Sequence, residues 1–155
     1  MIRPLFSTLF AMALIVVIGS SCKKKDKEVP EPELTAVEKA TALLTADGGK
    51  WNPAPLGDWV TVEGVNVTDL FKDFSITFTA TGYTTSGTSP VWARTDTWSF
   101  KDDTATTMIR KSDSKEVTVD VTETTLKLTV TWDQTTYEGG RTQSINGKHE
   151  FNLVK

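Results

Sequence analysis

The sequence predicts an all-β domain, an antiparallel up-and-down meander of consecutive hairpins that closes as a barrel or stacks as an open sandwich, preceded by one short helix. Three observations predict it. In the second half of the chain, apolar residues recur at every second position with threonine between them, as in strands with one buried and one wet face. Turn-forming clusters break these runs at spacings of roughly 8 to 12 residues, the rhythm of a barrel or sandwich. Helical periodicity occurs in one stretch only, too little for the crossover helices of a parallel sheet.

The chain begins with an export signal. Met1-Ile2-Arg3 precedes an apolar run from Leu5 to Ile18 that is short for a membrane span, and Gly19-Ser20-Ser21 lead to Cys22 and Lys23-Lys24-Lys25. This stretch resembles the lipobox of bacterial lipoproteins, in which a leucine is usual three places before the cysteine; Gly19 stands there. The resemblance implies a signal peptide of residues 1–21 and acylation of Cys22, with an ordinary signal-peptidase cut or an uncleaved anchor as alternatives. Each buried CH₂ contributes about 0.8 kcal/mol, so one chain holds only marginally and several are needed; a diacylglyceryl cysteine with an amide-linked acyl group supplies them. The expected location is the cell envelope, as an outer-membrane lipoprotein facing the periplasm or the outside. With one cysteine in the chain no intramolecular disulfide can form, and Cys22 with His149 falls short of a four-ligand zinc site.

Residues 22–34 carry the acylated cysteine and a charged, proline-spaced stretch with nothing to bury, which stays extended as a tether. Lysine and acid directly after Cys22 resemble the signals that send lipoproteins of Bacteroidota to the cell surface; a plain solvated linker is the other reading. Residues 35–155 remain for one folded domain. The net charge of -3 becomes -4 on loss of residues 1–21, which hold Arg3 and no acid, so the chain lacks the basic footprint of a nucleic-acid binder. The lysines beside Cys22 suit anionic lipid.

Thr35-Ala36-Val37-Glu38 has capping-box spacing, Val37, Ala40 and Leu44 share a face, and Asp47-Gly48-Gly49 stops the run, which predicts a helix from Ala36 to Thr45. Strands are expected over 58–65, 74–80, 91–100, 107–111, 117–121, 126–132 and 145–153. Phe74, Ile76, Phe78 and Ala80 are the inward set of the second of these. Val117, Val119 and Val121, then Leu126, Leu128, Val130 and Trp132, then Ile145, His149, Phe151 and Leu153 repeat the pattern. Threonine suits the outer positions of a pleated surface. Turns are expected at Gly82, at Ser86-Gly87-Thr88-Ser89-Pro90, at Lys101-Asp102-Asp103, at Ser112-Asp113-Ser114, at Thr122-Glu123-Thr124 and at Glu138-Gly139-Gly140.

Leu43-Leu44-Thr45 leading to Gly49-Lys50-Trp51, then Phe74–Phe78, Thr97–Phe100, Leu126–Trp132, Gly140-Arg141 and Gly147–Phe151 together resemble the small lipocalin-like lipoproteins of Bacteroidota. The resemblance implies a lipocalin-like barrel in which glycine-x-tryptophan opens the first strand and an arginine late in the chain packs across that tryptophan. Gly49, Trp51 and Arg141 would be the equivalents. It also implies a fold with a history of ligand binding, which does not by itself fix function.

Five tryptophans, Trp51, Trp59, Trp92, Trp98 and Trp132, either line a pocket for an apolar or sugar-like ligand or simply fill the core. Trp98, Phe100 and Trp132 are expected in the core, and Trp92, beside Pro90, is the pocket or rim candidate. Arg94 and Arg110 fall within expected strands, Arg94 on the parity of Trp92 and Trp98. An inward arginine needs a partner: Asp96 on the protein, or a ligand carboxylate or phosphate; a surface arginine needs neither. Trp51, Tyr83, Trp92, Arg94, Arg110 and Arg141 are therefore the candidate ligand-binding residues. No metal or cofactor is expected. No G-x-S-x-G elbow accompanies His149, the acidic pairs fall on turns or outer faces, and Asp102-Asp103 lacks the ligand spacing of a calcium loop. Asp103-Thr104-Ala105 resembles an O-glycosylation acceptor of exported Bacteroidota proteins. The expected function is non-catalytic binding of a small hydrophobic or amphiphilic ligand, the alternative a protein- or glycan-interaction module using the outer face or loops.

Overall fold

The computed structural model describes residues 32–55, 57–138 and 141–155, with the side chains of all of these except 136–143. The expectations for the signal peptide, for Cys22 and for most of the tether lie outside the described residues. Glu33–Lys155 forms one compact unit.

The capping box closes as the sequence requires. The Glu38 N–H donates to the Thr35 hydroxyl at 3.2 Å, the Thr35 N–H donates to the Glu38 carboxylate at 2.8 Å, and α1 (Ala36–Thr45) follows. These bonds from Thr35 hold the Glu38 carboxyl below its usual range. Ala40 and Leu44 are its buried positions. Asp47, Gly48 and Gly49 then take positive φ values of 54°, 79° and 69°, which ends the helix. A Cβ at Gly49 would collide with the Phe78 carbonyl, so the backbone approach that seats the next strand requires glycine there.

That strand is β1 (Lys50–Pro53), followed by β2 (Val60–Val62), β3 (Val65–Asn66), β4 (Ser75–Phe78), β5 (Gly82–Ser86), β6 (Thr95–Phe100), β7 (Thr107–Arg110), β8 (Glu116–Val121), β9 (Thr125–Trp132), β10 (Thr136–Glu138), β11 (Arg141–Ser144) and β12 (Gly147–Val154). Eight of them form a closed antiparallel barrel in the order β1-β4-β5-β6-β7-β8-β9-β12. Closure depends on β1 changing partners midway: Lys50 and Trp51 pair with β4, while Asn52 and Pro53 pair with Val154 and Leu153 of β12. The β2–β3 hairpin continues along the same edge of β12 through His149↔Val62 and Phe151↔Val60, and β10–β11 forms a separate ribbon.

Period-2 burial runs through the wall. Ile76 and Phe78, Val117 and Val119, Leu126, Leu128 and Val130, and His149, Phe151 and Leu153 face inward. The rings form one connected series. Phe74 lies 5.9 Å from Phe151, Phe151 5.7 Å from Trp92, Trp92 5.4 Å from Tyr83, Tyr83 6.1 Å from Phe78, and Phe78 6.0 Å from Trp98. Pairs at such separations contribute about 0.5–1.5 kcal/mol each beyond their area burial. Grooves of about 210 to 350 Å³ among the described residues are lined by other side chains, such as Val67, Leu70 and Ile145 in one and Leu126, Asn152 and Leu153 in another.

Four expected elements differ. The single strand expected over 58–65 is a hairpin, because Glu63 and Gly64 both adopt positive φ, 48° and 82°, and turn the chain back. Gly82 opens β5 instead of breaking the chain; the turn falls one step earlier, where the Thr79 hydroxyl accepts the Gly82 N–H at 3.0 Å. The strand expected from 91 starts at Thr95, since the carbonyls of Val91 and Trp92 are taken by the side chains of Arg110 and Ser89. The last strand begins at Gly147 rather than Ile145, and the sequence between Trp132 and Gly147 holds the unexpected β10 and β11. Of the turn expected at Glu138-Gly139-Gly140, residues 139 and 140 lie outside the described residues.

Candidate functional site

Arg110 is the last residue of β7, on the inward parity of Met108, and it is 1 % exposed. Its neighbours come from three other elements. Trp92 reaches it from the β5–β6 connection, with its ring face 5.1 Å from the guanidinium carbon, and Trp132 from the end of β9 at 5.9 Å. Tyr83 of β5 packs edge-on against Trp92. The charge is balanced by Asp113 on the β7–β8 turn, which accepts from Arg110 Nε at 3.2 Å and from Nη2, while Nη1 donates to the Val91 carbonyl at 2.6 Å. Asp113 Oδ1 also accepts the Lys115 N–H at 3.2 Å, which fixes the turn. Lys115 lies over Trp132 at 5.3 Å and pairs with Asp133 at 2.5 Å.

The cluster is rich in unspent donors. Trp92 Nε1 and Trp132 Nε1 are buried without a hydrogen-bond partner, and the Tyr83 hydroxyl, whose oxygen is within the influence of the Arg110 guanidinium, has no acceptor for its proton. Burial pushes the Tyr83 hydroxyl up to about 12 against the pull of the Arg110 charge, so it is a neutral O–H at physiological pH. An acceptor group is what this arrangement lacks, and an anion or a polar oxygen is what it suits.

Tyr83, Trp92 and Arg110 are thus brought together, but Arg94 and Trp51 are not part of this cluster. Arg94 is exposed, because 91–94 does not continue the strand and the expected parity breaks at Thr95. Its expected partner, Asp96, instead accepts the Ser112 hydroxyl at 2.7 Å and the Thr97 N–H at 2.7 Å. Burial works to raise Asp96, yet these bonds hold its carboxyl below the usual range. Trp92 is 3 % exposed, an interior residue rather than a rim residue, whereas Trp132 and Phe100, expected in the core, are half-buried.

Trp51 lies elsewhere. Its indole N–H donates to the Leu44 carbonyl at 3.0 Å, and the cation across its ring is Lys155, at 5.1 Å, which also pairs with Asp47 at 3.3 Å. The resemblance gave Arg141 a place across this tryptophan; the Arg141 side chain lies outside the described residues. Lys155 donates its backbone N–H to Thr124 beyond one end of β8, and Asp113 precedes the other end, so Trp51 and Arg110 belong to opposite ends of the barrel.

Sequence reasoning missed Trp132 and Asp113 as members of the cluster. Trp132 carried a signal, ending the same inward series as Leu128 and Val130; Asp113 carried none beyond lying three residues after Arg110. Among the described residues no group of three or more His, Cys, Asp or Glu side chains is set to hold a metal ion. No protein-family model, curated protein or solved structure matches the chain.

Proposed function

We propose that the chain is a lipid-anchored protein of the bacterial envelope, held to the outer membrane through Cys22, whose lipocalin-like barrel binds a small amphiphilic ligand without catalysing a reaction. The observation that carries the binding reading is the Arg110 cluster, in which three buried donors surround a buried cation and have no acceptor of their own. Buried polar groups nearly always have partners, and a ligand bearing acceptor oxygens supplies them. The connected series of rings sets the limit on size. A barrel of eight strands either fills with side chains or holds one small ligand, and here the apolar body of the ligand stays near the Arg110 end. A non-catalytic role is supported by His149, whose Nδ1 meets the Gly147 carbonyl at 3.2 Å rather than a nucleophile or a carboxylate.

The rings packed through the interior weigh against a roomy cavity and favour a second reading, a protein- or glycan-interaction module. Its outer face offers a polar row, Thr107, Thr118, Thr129, Glu150 and Thr61, in register across β7, β8, β9, β12 and β2.

Native mass spectrometry of the full-length protein, extracted gently from cells and compared before and after denaturation, decides between them. A defined small mass released on denaturation supports the ligand reading. A bare protein mass overturns it in favour of the interaction module. The same spectra test the anchor, since three acyl chains on Cys22 add a mass that Cys22→Ser removes.

A further inference from the structure

The ion pair between Arg110 and Asp113 is asymmetric in a way that bears on what the cluster binds. The arginine side chain is 2 % exposed and is fixed by the Val91 carbonyl and two indole faces, whereas the aspartate side chain is 31 % exposed and stands on a turn whose Ser114 has a positive φ of 56°. The cation belongs to the interior and the anion arrives from the surface. Asp113 engages Nε and Nη2 side by side, the fork by which a guanidinium receives a carboxylate. It leaves the Tyr83 hydroxyl and the Trp92 and Trp132 indole N–H groups unanswered.

We propose that Asp113 is a built-in stand-in for the ligand: a monoanionic carboxylate on a small, flat head group displaces it from Arg110, and Asp113 turns out into water. This deepens the ligand-binding reading above and rests on it. The exchange keeps one carboxylate against one guanidinium throughout, so no uncompensated charge is left inside the barrel, where it would be costly. Asp113, with 31 % of its side chain exposed, gives up its bonds from Arg110 and from the Lys115 N–H, and water can take their place once it turns outward. A dianionic phosphate fits less well. Among the described residues the cation beside Trp132, Lys115, is paired with Asp133, and Asp96 adds negative charge on the Tyr83 side, so a second negative charge is poorly matched there. Flat head groups suit the indole faces that flank the guanidinium.

The test uses benzoate and its neutral near-isostere benzamide, titrated into the full-length chain in detergent micelles while the indole N–H resonances are followed by NMR. Benzoate is expected to shift the Trp92 and Trp132 resonances saturably and benzamide to leave them in place. Asp113→Asn, which removes the competing charge but keeps an acceptor for the Lys115 N–H, is expected to bind benzoate about tenfold more tightly. Arg110→Gln is expected to lose the response. Equal shifts from both probes overturn the inference, as does an Asp113→Asn variant that binds benzoate no better than the parent chain. If benzoate binds neither form while the native mass spectrum still carries a releasable ligand, the carboxylate exchange falls and the ligand reading stands. A bare native mass beside tight benzoate binding has the opposite meaning.

Discussion

His149 is fully buried in the barrel wall, its ring stacked on Phe151 and its Nε2 without a partner. Burial pushes its pKa below the ordinary 6.5, and the Gly147 carbonyl only partly opposes this. The unfolded chain therefore takes up the proton first. The contribution of neutral His149 to stability is complete above about pH 6.5 and is lost as the pH falls from there through the folded-state pKa. Urea midpoints compared at about pH 7.5 and 5.5 are expected to drop for the parent chain and to drop less for His149→Phe; an equal drop in both would assign the acid sensitivity to other groups. The inward position of His149 was legible from its place in the series ending at Phe151 and Leu153, whereas for the arginines the expected inward parity fell on Arg94, which is exposed, and Arg110 was placed only within a strand running to Lys111. Their surroundings were not legible. The carboxylate on Arg110 comes from a turn and two of its three aromatic neighbours from distant strands, and period-2 patterning says which way a side chain points, not what it meets.

Elements with a local cause were read well, and α1 is the clearest case. Its two limits follow from Thr35 and Glu38 at one end and from the positive-φ run of Asp47, Gly48 and Gly49 at the other, all of them short-range chemistry. Thr35→Ala removes the hydroxyl that receives the Glu38 N–H and is expected to cost about 1 kcal/mol, measured by urea unfolding, with the barrel still formed. No change would mean that the helix is held by docking alone, through Leu44 and the indole bond to its carbonyl. The long strands β8, β9 and β12 were equally plain, since each repeats its pattern at least three times. The short elements were not, for two reasons. Gly82 was read for its freedom, although its place is set by the approach of the Asp96 carbonyl, 3.0 Å from where a Cβ would stand. Glu63-Gly64 was hidden because valines on both sides of it continue an apparent strand.

At the scale of the molecule, an all-β meander was legible while the choice between barrel and sandwich was not. Both place apolar residues at alternate positions; what separates them is the pairing of β1 with β12, a contact between Asn52 and Val154 that no local pattern encodes. Gly49 and Trp51 mark the spot, one by admitting the Phe78 carbonyl and the other by filling the space behind it. The uninterrupted series of rings through the interior has a volumetric consequence. Pressure unfolds proteins to the extent that unfolding eliminates internal void, and a barrel holding an open ligand chamber would shrink substantially on unfolding. This one is expected to lie near the small end of the usual range, about -20 mL/mol, when fluorescence is followed under hydrostatic compression. A change several times larger would require hollow space among Trp59, Phe71, Phe151 and Trp92, where the rings now stand 5.2 to 6.4 Å apart. Low compressibility is thus the expected mark of a barrel whose interior is crossed by packed rings from Phe74 to Trp98.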